Sequence, residues 1–315
     1  IPIMTGFGFT ILMCLSCMLF QCEGAITSPA EGTEFVFLPA STGNLTWTFD
    51  DDVSDLILRA WVFTRIELGF SHGGSTSERL ATIVGDDDPK IRQSSLSGVE
   101  IVKPATLLLK NVNQSYNGVY KFELSGSGPA VSNDVRVIIA KKPNVTLNCF
   151  SSVTLDEGDN FICVCRGEGG NPPANVTWYK NNKLFGGTKK LNNTLTLNNI
   201  ERTANGTYKC EARSHTNDSF KDEKSIKLRV RFEPTIKSFK SDPDPPINGK
   251  EVTLRCESDG VPEPGYMIKF ENGSEASSTK TYYIPIMGSS YDGNYTCIAK
   301  NIKGNDSAIL YLTGQ

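Results

Sequence analysis

One short motif recurs three times along this chain at nearly constant spacing. Its copies are Ser115–Phe122, Thr203–Cys210 and Ser290–Cys297, and each contains Asn-Gly or Asp-Gly, then one further residue, then tyrosine. The tyrosines stand at positions 120, 208 and 295, so the interval between copies hardly changes. This period is too long for a solenoid repeat and suits an independently folding domain of about 100 residues. The sequence therefore predicts three tandem copies of one domain.

The residue types of the motif predict a turn followed by a strand. Glycine adopts positive φ angles without steric cost, so Asn-Gly and Asp-Gly favour a tight turn. Alternation along the next strand places the tyrosine and the residue two positions later on one inward face. That later residue is Cys210 in the second copy and Cys297 in the third, and Cys165 and Cys256 lie upstream of them at similar distances along the chain.

A tyrosine two residues before a half-cystine resembles the tyrosine corner of the immunoglobulin superfamily. The resemblance covers residues 25–313 and implies an all-β fold of three tandem immunoglobulin-like β-sandwiches. We expect the first domain at 25–141, the second at 142–231 and the third at 232–315. The motif residues are expected to maintain the fold and to carry no function of their own.

The segment 1–24 is predicted to be a signal peptide. Its apolar run, Phe7–Phe20, is too short to span a bilayer and suits the core of such a peptide. Small residues at Cys22 and Gly24 permit cleavage before Ala25. We therefore expect a protein of the secretory pathway, displayed at the cell surface or secreted.

Ten Asn-x-Ser/Thr sequons support an extracellular location, since a chain of ordinary composition would contain only about one or two. We expect glycans at most of them. The sequon asparagines are Asn44, Asn113, Asn144, Asn175, Asn192, Asn205, Asn217, Asn272, Asn294 and Asn305.

Six of the nine cysteines lie beyond the signal peptide, an even number in a secretory context. The resemblance to immunoglobulin domains implies bridges between strands B and F, and within it Cys149 is assigned to Cys163 as a cross-strand bridge from the first strand. A zinc site at Cys163-x-Cys165 is disfavoured, because the chain has only two histidines. The implied pairs are Cys165–Cys210, Cys256–Cys297 and Cys149–Cys163.

The first domain departs from this pattern because it lacks the B–F cysteines. Trp47 and Phe122 stand at the two positions, and Trp61 matches the core tryptophan of strand C. We expect the aromatic pair to replace the disulfide by burying apolar surface between the sheets.

The spacing between strands C and F distinguishes the domain types within the family. Trp61 and Tyr120 lie about twice as far apart in the sequence as Trp178 and Tyr208, which leaves room for strands C′ and C″ of a variable-type domain. The second domain therefore resembles the intermediate or constant types. The third resembles the intermediate type through Cys297-x-Ala299-x-Asn301-x-x-Gly304, which is similar to the F–G segment of such domains. Strand C of the third domain has no tryptophan, and either Ile268 or Phe270 is expected to fill the slot.

The binding surface is predicted on the outer face of the G-F-C-C′ sheet of the first domain. Asn44 should point outward from the opposite sheet and Asn113 should lie in the E–F connection, so neither glycan reaches this face. An apolar surface flanked by charges suits a modest protein contact. The alternative is that its apolar residues are ordinary β-formers partly covered by C′. The predicted contact residues are Val62, Thr64, Ile66, Lys121, Glu123, Arg136 and Ile138.

The resemblance implies cell adhesion or cell–cell recognition through a protein partner, homophilic or heterophilic, with a membrane anchor downstream of Gln315. A signalling-receptor ectodomain and a secreted matrix protein remain the alternatives. Two isolated histidines offer no nucleophile–base pair, so no enzyme is expected, and no cofactor or metal. The acidic triplets at 50–52 and 86–88 are interpreted as solvated loop tips in preference to a calcium site. A formal net charge of −3 argues against nucleic acid as a partner.

Overall fold

The computed structural model describes residues 25–50, 53–66, 76–126 and 129–315. The expected signal peptide, 1–24, lies outside the described residues. The chain divides into two compact units. One contains the first sandwich with the loops 169–174 and 213–221, and the other contains the rest of the second sandwich and the third.

In the part of the first sandwich that the structure describes there are eleven strands and two short 3-10 turns, at Val53–Asp55 and Gln114–Tyr116. Its strands are β1 (Ile26–Ser28), β2 (Thr33–Phe37), β3 (Gly43–Thr46), β4 (Thr48–Phe49), β5 (Leu58–Arg65), β6 (Ser77–Val84), β7 (Lys90–Ile91), β8 (Val99–Val102), β9 (Thr106–Leu109), β10 (Gly118–Ser125) and β11 (Val131–Ile139). A six-stranded sheet, β2-β11-β10-β5-β6-β7, faces a three-stranded sheet, β3-β9-β8, while β1 pairs with β4. Strands β6 and β7 follow strand C in the same sheet, where a variable-type domain has C′ and C″, and the variable type stays a prediction.

An aromatic cluster joins the two sheets of the first sandwich. The Trp47 ring stacks on Phe122 with centroids 5.3 Å apart, and Trp61 lies 5.2 Å from Phe122 on another side. All three side chains are fully buried. Trp47 Nε1 also donates to Asn133 Oδ1 at 2.9 Å, so the polar atom of this core tryptophan has a partner.

The second sandwich has 3-10 turns at Arg202–Ala204 and Asp218–Phe220. Its strands are β12 (Asn144–Leu147), β13 (Ser152–Asp156), β14 (Phe161–Glu168), β15 (Asn175–Lys180), β16 (Lys183–Lys190), β17 (Asn192–Leu197), β18 (Gly206–Arg213) and the first part of β19 (Lys221–Asp242). One sheet is β12-β14-β17, and the other contains β16-β15-β18-β19. Strand β13 joins the edge of the second sheet by pairing parallel with β19.

Within the described residues the structure has three disulfides, and they are the pairs that the family resemblance implies. Cys165–Cys210 and Cys256–Cys297 each join Cα atoms 6.5 Å apart, and Cys149–Cys163 joins Cα atoms 5.6 Å apart. One detail differs from the expectation. Cys149 does not lie within the first strand but in a bend two residues after β12 ends, because the chain there leaves one sheet and crosses to the other as β13.

The third sandwich shares its first strand with the second, and it has a 3-10 turn at Ser289–Tyr291. Its other strands are β20 (Val252–Val261), β21 (Gly265–Phe270), β22 (Glu275–Ser277), β23 (Thr281–Ile284), β24 (Gly293–Lys300) and β25 (Asn305–Leu312). Strands β22-β21-β24-β25 form one sheet, and β20 lies between β19 and β23 in the other. Ile268 fills the slot of the missing tryptophan, since it is fully buried opposite Cys297 while Phe270 is only half-buried.

Strand β19 runs without interruption for 22 residues from the second sandwich into the third. Polar contacts cross the same junction. The Arg202 guanidinium lies 4.4 Å above the Phe232 ring and pairs with Glu157 at 3.1 Å and Asp259 at 3.3 Å. The second and third sandwiches are thus joined by backbone continuity and by ion pairs.

The tyrosine corner is present in all three sandwiches. The hydroxyl groups of Tyr120, Tyr208 and Tyr295 each donate to the carbonyl oxygen four residues upstream, at 2.9, 3.1 and 3.2 Å. Burial raises the pKa of each of these phenols, and that of Tyr295 reaches about 12. The three copies of the sequence motif therefore have one structural role, as expected.

Candidate binding face of the first domain

The candidate binding face is the outer surface of β5, β10 and β11, which occupy the positions of strands C, F and G. Because Trp61 and Tyr120 point into the core, Val62 on β5 and Val119 and Lys121 on β10 point outward by alternation. The strand register places Lys121 of β10 between Val62 of β5 and Asp134 of β11. The face consists of Val62, Thr64, Val119, Lys121, Glu123, Ser132, Asp134 and Arg136.

Opposite charges border the apolar centre of this face. Arg79 on β6 pairs with Glu123 at 3.1 Å, and Arg136 pairs with Glu34 on β2 at 3.5 Å. Two valines, one on β5 and one on β10, are half-buried between these pairs. The arrangement supplies apolar contact area at the centre and charges of both signs at the edge, as a modest protein interface requires.

Asp134 is a partly buried carboxylate of this face. Burial raises its pKa, and the neighbouring Lys121 ammonium only partly opposes that shift. Its Oδ1 atom is buried and has no hydrogen-bond partner among the described residues. The carboxylate therefore adds a negative charge that the face itself compensates only in part.

Five of the seven predicted contact residues belong to this face. Val62, Thr64, Lys121 and Glu123 are half-buried with outward side chains, and Arg136 is exposed. The Thr64 hydroxyl is already hydrogen-bonded to that of Ser77 at 2.8 Å. These positions stay candidates for partner contact.

The sequence predicts that Ile138 points outward, but its side chain is buried, with a relative exposure of 7%. A loop covers its end of the sheet. Asn171, from the loop 169–174, donates to Asn117 Oδ1 at 2.9 Å and to the Ile139 carbonyl at 3.2 Å. Ile66 follows the end of β5 and lines the same small cavity as Ile138 and Asn171. Both isoleucines therefore pack against this loop and are removed from the proposed contact set.

Three members of the face, Val119, Ser132 and Asp134, are absent from the sequence-based prediction. Alternation with Tyr120 and Phe122 on β10, and with Asn133 and Val135 on β11, indicates their outward orientation directly. Arg79, at the edge of the face, is also absent from the prediction, and nothing in its local sequence shows that β6 brings it next to Glu123.

The sequons of the first domain lie away from the candidate binding face. Asn44 is exposed on β3 of the opposite sheet, and Asn113 caps the 3-10 turn at Gln114–Tyr116 by accepting from Ser115 N at 2.9 Å. Eight of the ten sequon asparagines lie in the other domains, and Asn205 alone among the ten is not exposed.

Asn205 has a structural role that competes with glycosylation. Its Nδ2 donates to the Arg202 carbonyl at 3.0 Å and its Oδ1 accepts from Val230 N at 2.7 Å. Asn117 and Asp292 occupy the same position in the other copies, and each accepts from a backbone amide in or just after the last strand of its sandwich. The side chain at this position ties the turn to the end of each sandwich.

Within residues 25–50, 53–66, 76–126 and 129–315, no cluster of three or more His, Cys, Asp or Glu suited to a metal occurs. Lys103 lies 4.0 Å from Asp86 and 3.6 Å from Asp88, while Asp51 and Asp52 are outside the described residues. Within the same residues, none of the helices has the length and apolar character needed to span a bilayer.

Comparison with known proteins places this architecture in a family. Two family models, each described as an immunoglobulin domain, match residues 142–230 and 233–301. The limbic system-associated membrane protein of Gallus gallus is 28% identical over 238 residues, which are 71% of this chain and 67% of that protein. Neural cell adhesion molecule 1 of Homo sapiens is 28% identical over 230 residues, or 66% of this chain and 26% of that protein.

Solved structures show the same fold over most of the chain. A structure of Dpr2 Ig1-Ig2 in complex with DIP-Theta Ig1-Ig3 has a TM-score of 0.57 at 17% identity and covers 92% of this chain and 99% of that one. The full ectodomain of mouse nectin-like molecule 4, Ig1-Ig3, has a TM-score of 0.55 at 17% identity and covers 90% of this chain and 97% of that one.

Proposed function

Because this chain belongs to the immunoglobulin superfamily, we propose that it is an extracellular adhesion or cell–cell recognition protein that binds another protein through the candidate binding face. It mediates contact by protein–protein binding at the cell surface, and its similarity to membrane and adhesion molecules supports this location. We assign this chain no catalytic role.

One observation carries the choice of surface within the chain. The candidate binding face combines half-buried Val62 and Val119 with two ion pairs that each bring a positive and a negative group to its edge. Neither sequon of its domain lies on it. Glycans are bulky and solvating, so a face without them is the one that can approach another protein closely. The partner that fits is a protein surface with a small apolar centre and charges of both signs, a second copy of this chain included.

The test compares the full-length protein with two variants, Val62→Lys and Val119→Lys, in bead aggregation and in binding to cell-surface partners. Each substitution adds a charge at the apolar centre and should weaken binding by tenfold or more, since a desolvated unpaired charge costs at least about 1.4 kcal/mol. Val102→Lys is the matched control, because Val102 is an exposed valine on β8 of the opposite sheet and lies in no sequon.

The outcomes separate the possible partners as well as the surfaces. Aggregation of beads that carry only this protein indicates homophilic binding, and binding solely to a different cell-surface protein indicates a heterophilic contact. Folded Val62→Lys and Val119→Lys proteins that bind every identified partner as tightly as the wild type would exclude this face.

A further inference from the structure

The outer face of the third sandwich carries an exposed apolar pair beside a sequon. Ile309 and Tyr311 on β25 have relative exposures of 70% and 64%. They are two residues apart on a strand, so both side chains stand on the outer face of the sheet. Half-buried Ile298 extends the apolar surface on the neighbouring strand β24.

The register of β24 and β25 places Asn294 directly against this pair. Asn294 is opposite Tyr311, and Thr296 is opposite Ile309. Directly opposed residues have Cβ atoms about 5 Å apart, and diagonal neighbours about 7–8 Å. Tyr295, the central residue of the sequon, is buried in the core, so the asparagine and threonine of the sequon both face outward.

We propose that an N-linked glycan on Asn294 packs over Ile309 and Tyr311 and closes this face of the third domain to protein partners. The proposal rests on the extracellular location proposed above. The first sugar of an N-glycan has apolar C–H faces and an acetyl methyl group, and it begins within reach of the tyrosine ring. Covering an aromatic ring and a branched aliphatic side chain removes apolar surface from water, which stabilises the covered arrangement.

The other sequons on this sandwich do not share the arrangement. Asn272 lies in the turn between β21 and β22, where its Oδ1 accepts from Ser274 N at 2.9 Å. Asn305 faces Lys300 at the beginning of β25. Of these sequons, Asn294 therefore has the exposed aromatic side chain directly across the strand, and Asn272 provides the matched control.

The experiment compares hydroxyl-radical labelling of Ile309 and Tyr311 in the glycosylated full-length protein and in its Asn294→Gln and Asn272→Gln variants. We expect labelling to rise about threefold in Asn294→Gln, the factor that corresponds to a weak stacking contact, and to stay unchanged in Asn272→Gln. Glycopeptide mass spectrometry of the wild type measures occupancy at both sites in the same sample.

Each outcome decides the proposal. Occupied Asn294 with a rise confined to Asn294→Gln supports it. Equal labelling in the wild type and Asn294→Gln, or an unoccupied Asn294 beside an occupied Asn272, overturns it and leaves the adhesive function intact. Absence of glycan from every sequon would overturn this proposal together with the extracellular function.

Discussion

The first and second domains differ at the point where strands B and F face each other across the sandwich. In the second domain Cys165 and Cys210 are bonded there, and in the first domain Trp47 stacks on Phe122 at the same place. A disulfide acts mainly by constraining the unfolded chain, whereas an aromatic cluster acts by burying surface in the folded one. Two domains with one fold can therefore reach similar stability in different ways, one by restricting the unfolded state and the other by stabilising the folded state.

The largest effect is expected from removing the aromatic contact in the core of the first domain. Trp47→Ala should reduce the free energy of unfolding of the first domain by about 3–5 kcal/mol, because it empties a fully buried site and leaves Asn133 without its donor. Chemical denaturation followed by fluorescence measures the loss. Trp47→Phe keeps part of the stacking and should lose less, and a loss under about 1 kcal/mol for Trp47→Ala would show that the cluster does not hold this domain together.

Removing the disulfide between strands B and F should have a comparable effect on the second domain. The double substitution of Cys165 and Cys210 by alanine opens a loop closed over 45 residues, and the chain-entropy model gives a loss of about 4 kcal/mol. The first domain should unfold at its original denaturant concentration in this variant. Reduction of the disulfides in the wild-type protein should shift the unfolding of the second domain and not that of the first. An equal shift of both would show that the first domain also depends on a disulfide.

The second bridge of the same domain should contribute less. Cys149–Cys163 closes a loop of only 14 residues, so its removal is expected to lose about 3 kcal/mol. Native protein treated with a thiol reagent provides the direct check. Labelling of Cys149 without prior reduction would show that the bridge is not formed and that the bend after β12 is placed wrongly.

A smaller effect is expected at the turn that all three copies share. Asn205→Ala should lose about 1–2 kcal/mol, because it leaves the Val230 amide and the Arg202 carbonyl without their partners. Asn205→Asp should lose less than half of that, since Asp292 serves this position in the third copy. Mass spectrometry should find Asn205 without a glycan while exposed Asn192 carries one, and a fully occupied Asn205 would contradict the assigned role.

Acid should weaken the second domain through two carboxylates that lie outside its core. The hydrogen bonds from Lys303 and Arg231 lower the pKa of Asp156, and the hydrogen bond from Arg202 lowers the pKa of Glu157. Stability from lowered carboxyl pKa values is present above their ordinary values of about 4 and is lost as pH falls through the lowered ones. As the pH is lowered from about 5 to about 2, the denaturant concentration at the unfolding midpoint of the second domain should therefore decrease. The decrease measures what these ion pairs contribute to stability. Asp156→Asn should reduce the pH dependence, and an unchanged profile would exclude this cause.

Local patterns in the sequence were sufficient for the fold and for the core of each sandwich. The repeated turn identified the tyrosine corners, and the substitution of both half-cystines by aromatics identified the contact of Trp47 with Phe122. Alternation also gave the outward residues of β5 and β10. These inferences succeeded because each depends on neighbours in the same strand or on a repeat within the chain.

The remaining features depend on residues far apart in the sequence. Ile138 is buried because Asn171, from a loop of the next domain, bonds to the end of its strand, and no periodicity within β11 could show that. Arg79 reaches Glu123 only because β6 is the neighbour of β5. Cys149 lies in a bend because the chain changes sheets there, a step that the apolar pattern of the short strand β12 does not mark.

A protein that joins two cells bears tension, and β19 determines how the second domain carries that load. The chain enters this domain through β12, crosses to the other sheet as β13 and leaves through β19, and β13 and β19 run parallel and share five residue pairs from Ser152–Lys227 to Asp156–Arg231. Force directed along such a pair acts on all of its hydrogen bonds together in shear, and they cannot be opened one at a time. The same strand then passes directly into the third domain, so no slack linker absorbs the extension, and the lifetime of the contact under load depends on the unfolding rate of the domain rather than on its equilibrium stability.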